Sequence, residues 1–420
     1  MSFICPISDF TTVTSLFADI SSATPSKKYL LEKEFEEDDC PEKINLFTTA
    51  YKDDDMSCVF PVVRTAEKAL AYDRSLPKNA LNPLGYEIFD QASVKLILGS
   101  TNAARIENRT IGIQTLSLTG SLRIGGEFLT RILGKKTYYT SQQSPTSFNA
   151  IFEQAGFKYE KHYRYVDSTN LTLDVDGFLH DLGAAHEGSV VILQPSAHHP
   201  TGFDLSNCHW QSVADIIIKR KLFPFFFCCF QGFASGDLEE DVWPLHYFTE
   251  RNIEFFCAQS LSKTFNLPNE RVGCLVVVLN CTKKINIIKM HFINIIENMY
   301  DTPPNHGARV VTFILGNQSL FEEFKQNIQE EVERLRTLRA YLREELERRG
   351  APGTWNHITN QNGIFCYTGL NDVHVEYIKN HYHVYLGPYG VINVSCLTLD
   401  NIMYIAAAMY VTLQNIPRYQ

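Results

Sequence analysis

The sequence predicts an α/β protein with a large, doubly wound domain and a smaller α+β domain. Three observations carry that prediction. From about residue 60 to residue 315, short apolar runs alternate with amphipathic or mixed segments. A long amphipathic helix follows, over about Leu320–Arg349. Beyond it come two short apolar stretches and one last helical segment.

The apolar runs include Ser189–Leu193, Leu222–Phe227, Glu254–Ala258 and Val272–Leu279. Continuous runs bounded by turn signals suit strands buried on both faces, as in a parallel sheet. Leu122–Leu133 and Trp210–Lys221 lie between or before them, and alternation of this kind is the signature of a doubly wound domain. In the long helix, Phe324, Ile328, Val332, Leu335, Leu338, Leu342 and Leu346 recur every three or four residues and form one packing stripe. Gly350 and Pro352 stop it. Gly363–Gly369 and Val391–Leu397 are expected as strands, and Asp400–Gln414 as the closing helix. Residues 1 to about 50 are expected to be irregular, with the acidic run Glu32–Asp39 a solvated face or loop. The expected partition is 1–55 for an N-terminal segment and part of the small domain, 56–320 for the large domain and 321–420 for the small C-terminal domain.

Composition excludes several functions. The net charge is -9, which gives no basic footprint for nucleic acid or an anionic membrane. No apolar run approaches the roughly 20 residues that cross a bilayer. The opening MSFICPISDF has no basic region followed by an apolar core, so it does not read as a signal peptide. The 11 cysteines are scattered without a CxxC pair, the pattern of free thiols in a reducing compartment. The expected location is therefore the cytoplasm. The 13 histidines lack metal-ligand spacing, so no metal is expected. No Walker-A, GxGxxG, GxSxG or HExxH sequence is present.

Two short segments remain. Ser117-Leu118-Thr119-Gly120 precedes a helix, where hydroxyls and free N–H groups either receive an anion or cap the helix. Ser260-Leu261-Ser262-Lys263 follows an apolar run, with Arg271 eight residues on. Lys263 there is either an ordinary solvated lysine or one that bonds a carbonyl group close to a phosphate.

The order of several segments resolves the choice. AHHPTG at 197–202, FPFFFCCFQGFASG at 223–236 and CAQSLSKTFNLPNERVG at 257–273 come first. PPNHGARVV at 303–311, GTWNHIT at 353–359 and INVSCLT at 392–398 follow. Together they resemble the cytosolic-type aspartate aminotransferases of the class I pyridoxal-phosphate enzymes, from about residue 44 to the C-terminus. The resemblance implies a fold type I transferase with a mostly parallel seven-stranded sheet, a small domain drawn from both chain ends, and a homodimer. It implies Lys263 as the catalytic, cofactor-bonded lysine. It implies a phosphate cup of Ser117, Thr119, Ser260 and Arg271, and Phe365 beside the substrate. The nominal reaction is amino transfer from L-aspartate to 2-oxoglutarate.

The same resemblance shows what is missing. Phe227 stands where the family has an aspartate under the pyridine nitrogen, and Phe148 where a histidine supports that aspartate. His199 and Phe230 replace the asparagine and tyrosine that reach the cofactor's phenolic oxygen. Pro145 lies at or beside the place of the ring-stacking tryptophan. Val391 and Glu297 fall where two carboxylate-binding arginines are expected. Ala80 replaces a tyrosine from the partner subunit, Leu118 a cup glycine, and Thr49 a substrate-side glycine. Three functions fit this pattern: weak or altered transamination of an amino acid or oxo acid, a catalytically inactive binding protein, or another reaction at Cα such as racemisation of aspartate.

Overall fold

The computed structural model describes residues 15–23, 25–52, 59–145 and 147–417. The opening decapeptide and the boundary expected at residue 55 lie outside them.

A seven-stranded sheet organises the large part of the chain. Its strands, numbered in chain order, are β1 (Thr110–Leu116), β2 (Thr137–Ser141), β3 (Tyr159–Tyr163), β4 (Val190–Leu193), β5 (Phe223–Cys228), β6 (Phe255–Ser260) and β7 (Val272–Val278). They lie in the order β1-β7-β6-β5-β4-β2-β3. β7 pairs antiparallel with both of its neighbours, and every other pairing is parallel. Every residue of β4, β6 and β7 is buried. That is why these strands read as unbroken apolar runs. Edge strand β3, with the sequence YEKHY, is mostly exposed and carries no such run.

The helix Ser117–Arg131 packs closely on the sheet. A side chain at Gly125 would come within 2.7 Å of Phe225 Cζ, so only glycine permits this approach. The long helix spans Gln318–Arg348, with the Asn317 side chain capping Leu320 N–H. All seven residues of its predicted stripe are buried. Two buried polar residues interrupt it, Glu331 and Arg339. The Arg339 guanidinium donates to the carbonyls of Ile358, Asn362, Gly363 and Phe365. Burial holds it below the ordinary arginine range.

Two small ladders complete the fold. Ile44–Asn45 pairs in parallel with Val384–Tyr385, and Phe365–Tyr367 pairs antiparallel with Val391–Asn393. The strand expected over Val391–Leu397 therefore ends early. Asn393 accepts a hydrogen bond from Ser395 N–H and turns the chain into a short 3-10 segment, Val394–Cys396. The closing helix is Leu399–Asn415, started by Thr398 and Asn401 in reciprocal caps.

The chain divides into two compact units, Met1–Lys43 and Ile44–Gln420. The first is not wholly irregular, contrary to expectation. Lys27–Glu37 is a helix capped by Ser26, and it buries no residue. Its lack of an apolar stripe is why periodicity could not find it. Much of the acidic run Glu32–Asp39 lies on this helix, mostly exposed.

Candidate active site

The candidate residues gather at the ends of β1 and β6 and the start of β7, the edge where open parallel sheets take ligands. β6 ends in Ser260, and the next turn, Leu261–Thr264, carries Lys263. β7 ties this turn to the start of the Ser117–Arg131 helix. Gly273 faces Ser260 on one side and Thr115 on the other. Ser117 N–H donates to the Arg271 carbonyl at 2.7 Å, and Val272 N–H donates to Ser262 Oγ at 2.6 Å. Ser117 is left-handed, with φ 59°. A side chain on Gly273 would fall 2.5 Å from the Ser117 carbonyl carbon, so this backbone turn rests on a bare glycine.

These contacts bring Ser117, Ser260, Lys263 and Arg271 into one neighbourhood. The Ser260 hydroxyl is buried and has no hydrogen-bond partner among the described residues. A buried hydroxyl without a partner costs free energy that a ligand oxygen would recover. Arg271 is exposed, and its guanidinium pairs with no described residue. Ser117 and Thr119 lie in the first turn of a helix of 15 residues, where free N–H groups and the helix dipole favour an anion. Thr119 itself is exposed, and Leu118 is half-buried against the core.

Lys263 Nζ donates to the Thr49 carbonyl at 2.5 Å and to Thr49 Oγ1 at 3.0 Å. It stands 6.0 Å over the Phe230 ring. Phe230 packs against Phe365 at 5.8 Å, and Phe365 meets the His199 ring edge to face at 4.4 Å. Phe227 lies opposite Ala258 in the sheet. Its ring meets Phe148 edge to face at 4.9 Å, and both rings are buried. The two aromatic rings thus touch one another directly.

His199 is fixed through its backbone. Its N–H donates to Gln194 Oε1 at 2.7 Å, and its carbonyl accepts from Gln194 Nε2 at 2.8 Å. Burial and the positive charge of Lys263 push the imidazole down to about 3, so it stays neutral, and its Nδ1 has no partner. His198 is likewise pushed down to about 3 by burial; it stacks on Tyr165 and bonds Thr201 Oγ1.

Other expected positions are more distant in character. Val391 is buried opposite Tyr367. Glu297 is exposed at the end of the helix Ile285–Glu297 and makes no ion pair with a described residue. Ala80 is exposed, and Pro145 accepts a bond from Phe148 N–H at the start of its helix. No group of metal-ligating side chains occurs among the described residues, and none of their helices is long and apolar enough to cross a membrane. All cysteines among the described residues are free.

Sequence reasoning missed the framework behind the 197–202 loop. Asp204 accepts from the N–H groups of Ala197 and His198 and from Asn362 Nδ2. Burial pushes its carboxyl up to about 6. The folded state then holds this proton more tightly than the unfolded state, whose carboxyl titrates near the usual value of about 3.9. The stability it contributes is present below that value and is lost as pH rises through about 6. Asp204→Asn is therefore expected to abolish a pH-dependent loss on the order of 3 kcal/mol between about pH 4 and 7. Urea unfolding of both proteins across that range checks it; parallel stability-pH curves would refute it.

The architecture and the lysine-bearing edge define a fold type I transferase scaffold. The family model for aminotransferase class I and II matches residues 41–409. The chain is 40% identical to the cytoplasmic aspartate aminotransferase of Gallus gallus, over 94% of this chain and 98% of that protein. It is 38% identical to the cytoplasmic aspartate aminotransferase of Caenorhabditis elegans, over 95% and 98%. The cytoplasmic aspartate aminotransferase of Saccharomyces cerevisiae superimposes with a TM-score of 0.92 at 30% identity, covering 96% of this chain and 99% of that one. An aromatic-amino-acid aminotransferase from Burkholderia pseudomallei, covalently bound to pyridoxal phosphate, gives 0.90 at 30% identity, covering 95% and 100%. The chain belongs to the class I and II aminotransferases.

Proposed function

We propose that this chain binds pyridoxal phosphate at Lys263 and has weak or altered activity on amino acids and oxo acids, without efficient transamination of dicarboxylates. The observation that carries the binding is the buried, unpartnered Ser260 hydroxyl beside Lys263. Ser117, Thr119 and the free guanidinium of Arg271 complete a donor set suited to a phosphate dianion. When bound, pyridoxal phosphate supplies a carbonyl that bonds an amine and a ring that draws electrons from it. Lys263 Nζ is the amine within reach of that edge. Phe365, Phe230 and His199 form an aromatic wall that would exclude water from it.

What weakens the chemistry is the Phe148–Phe227 contact. An apolar neighbour disfavours a protonated ring nitrogen by desolvation. The apolar Val391 offers no charge to an α-carboxylate. The same contact favours a second reading, a catalytically inactive binding protein that keeps the fold. The relatives suggest a cytoplasmic setting, and we expect a homodimer.

Purified protein mixed with pyridoxal phosphate should develop a new absorbance band. Borohydride should then fix the adduct on the peptide containing Lys263, and Lys263→Ala should lose it completely. Absence of any adduct on the wild-type protein would overturn the binding proposal. An adduct that leaves every amino acid unconverted would favour the second reading.

A further inference from the structure

We infer that Thr49 is a positioning residue that latches the Lys263 ammonium and is released when that nitrogen is modified. The inference builds on the reading of Lys263 as the reactive amine.

Thr49 meets Nζ with two acceptors, its carbonyl at 2.5 Å and its hydroxyl at 3.0 Å. Its loop is held from both sides. Asn393 Nδ2 donates to the carbonyls of Thr48 at 2.9 Å and Ala50 at 2.8 Å, the residues that flank Thr49. Asn393 N–H donates to the Leu46 carbonyl, and Asn45 Oδ1 accepts from the N–H groups of Phe47 and Thr48. Asn393 belongs to the small ladder with Phe365–Tyr367, whereas Lys263 follows β6 of the main sheet. The Lys263–Thr49 contact therefore ties the C-terminal ladder to the main sheet through one amine.

An ammonium has three N–H donors and satisfies both Thr49 acceptors at once. If Nζ bonds to a carbonyl carbon, with the carbonyl oxygen leaving as water, at most one N–H remains. The nitrogen then cannot serve both acceptors in this geometry, and the loop loses one of its two bonds to Lys263 while Asn393 and Asn45 still hold it. A glycine at position 49 would keep the carbonyl and lose the hydroxyl, so the side chain adds a second grip.

The latch predicts a change in how Nζ titrates. Among the described residues, His199 and Cys229 face it. His199 is pushed down to about 3, and burial pushes the Cys229 thiol up to about 12. Neither changes charge between those limits, so neither accounts for a midpoint found there.

The test uses cofactor-free full-length protein and acetic anhydride at trace levels. The neutral amine attacks an acyl carbon, the N–C bond forms, acetate leaves and the amine's proton passes to buffer. The acetylation rate of the Lys263 peptide is read by mass spectrometry against pH. In Thr49→Val the midpoint should fall by about 0.5–1 pH unit, a three- to tenfold gain in free amine at a given pH, because a charged hydrogen bond has been removed. Thr49→Ser should match the wild type. Access alone would change the plateau rate and leave the midpoint in place. An unmoved midpoint in Thr49→Val, or an equal shift in Thr49→Ser, would overturn the latch. Because no pyridoxal phosphate is present, this result is independent of whether the cofactor binds.

Discussion

Given L-aspartate and 2-oxoglutarate, the purified protein is expected to turn over at least about a hundredfold more slowly than an ordinary aspartate aminotransferase such as the chicken cytoplasmic enzyme. Two independent losses add. By the family resemblance, Val391 stands in place of a guanidinium clamp, and a charged hydrogen-bond partner contributes about 1.5–3 kcal/mol, or one to two decades. Val391 is buried opposite Tyr367 and carries no charge of its own. By the same resemblance, Phe227 stands in place of the carboxylate that would keep the ring nitrogen charged, a second loss of similar or larger size. Side-by-side initial rates with saturating cofactor measure the combined effect. A rate within tenfold of the chicken enzyme would show that another group in the site supplies what Val391 and Phe227 do not.

Phe227→Asp alone is expected to destabilise the fold by about 3–5 kcal/mol at neutral pH, because an unpaired carboxylate would sit in a buried apolar site. Phe148 is the ring it would face, and Phe148 offers no hydrogen bond. The introduced carboxyl would hold its proton up to raised pH, so the penalty should shrink on acidification. Adding Phe148→His supplies a partner, and the double variant should recover more than half of the loss. Urea midpoints for the four proteins of this cycle measure the coupling. Equal stability of Phe227→Asp and the wild type would mean that the site is wetter or roomier than the packed rings indicate.

The sheet was legible where the physics of burial writes directly into sequence. β4, β5, β6 and β7 lie inside the sheet, are covered on both faces, and read as apolar runs. β1, with glycine, glutamine and threonine in its middle, and β3, exposed at the opposite edge, lack that signal. The helix start at Ser117 was placed late because Ser117-Leu118-Thr119-Gly120 reads as a cap, whereas here it forms the first turn, entered through a left-handed residue. At the site, local spacing singled out Ser260–Lys263 and Arg271 while leaving their role open, and the family resemblance supplied one. Contacts across the chain left no local trace. Thr49 and Lys263 are separated by 214 residues, and nothing in either neighbourhood encodes their meeting. Asp204 and Arg339 carry no such signal for the opposite reason: charged residues usually lie at the surface, whereas Arg339 is buried and Asp204 half-buried among specific partners.

Arg339 has a mechanical consequence. Its four carbonyl contacts, at Ile358, Asn362, Gly363 and Phe365, fasten the segment that carries the aromatic wall to the longest helix of the protein. Moving that wall would strand a buried cation, a far larger cost than parting one amine from one threonine. The Thr49 loop hangs from Asn393, the ladder partner of Phe365, so any motion that admits a ligand to Lys263 should leave both in place and be taken up by the Lys263 side chain as it parts from Thr49.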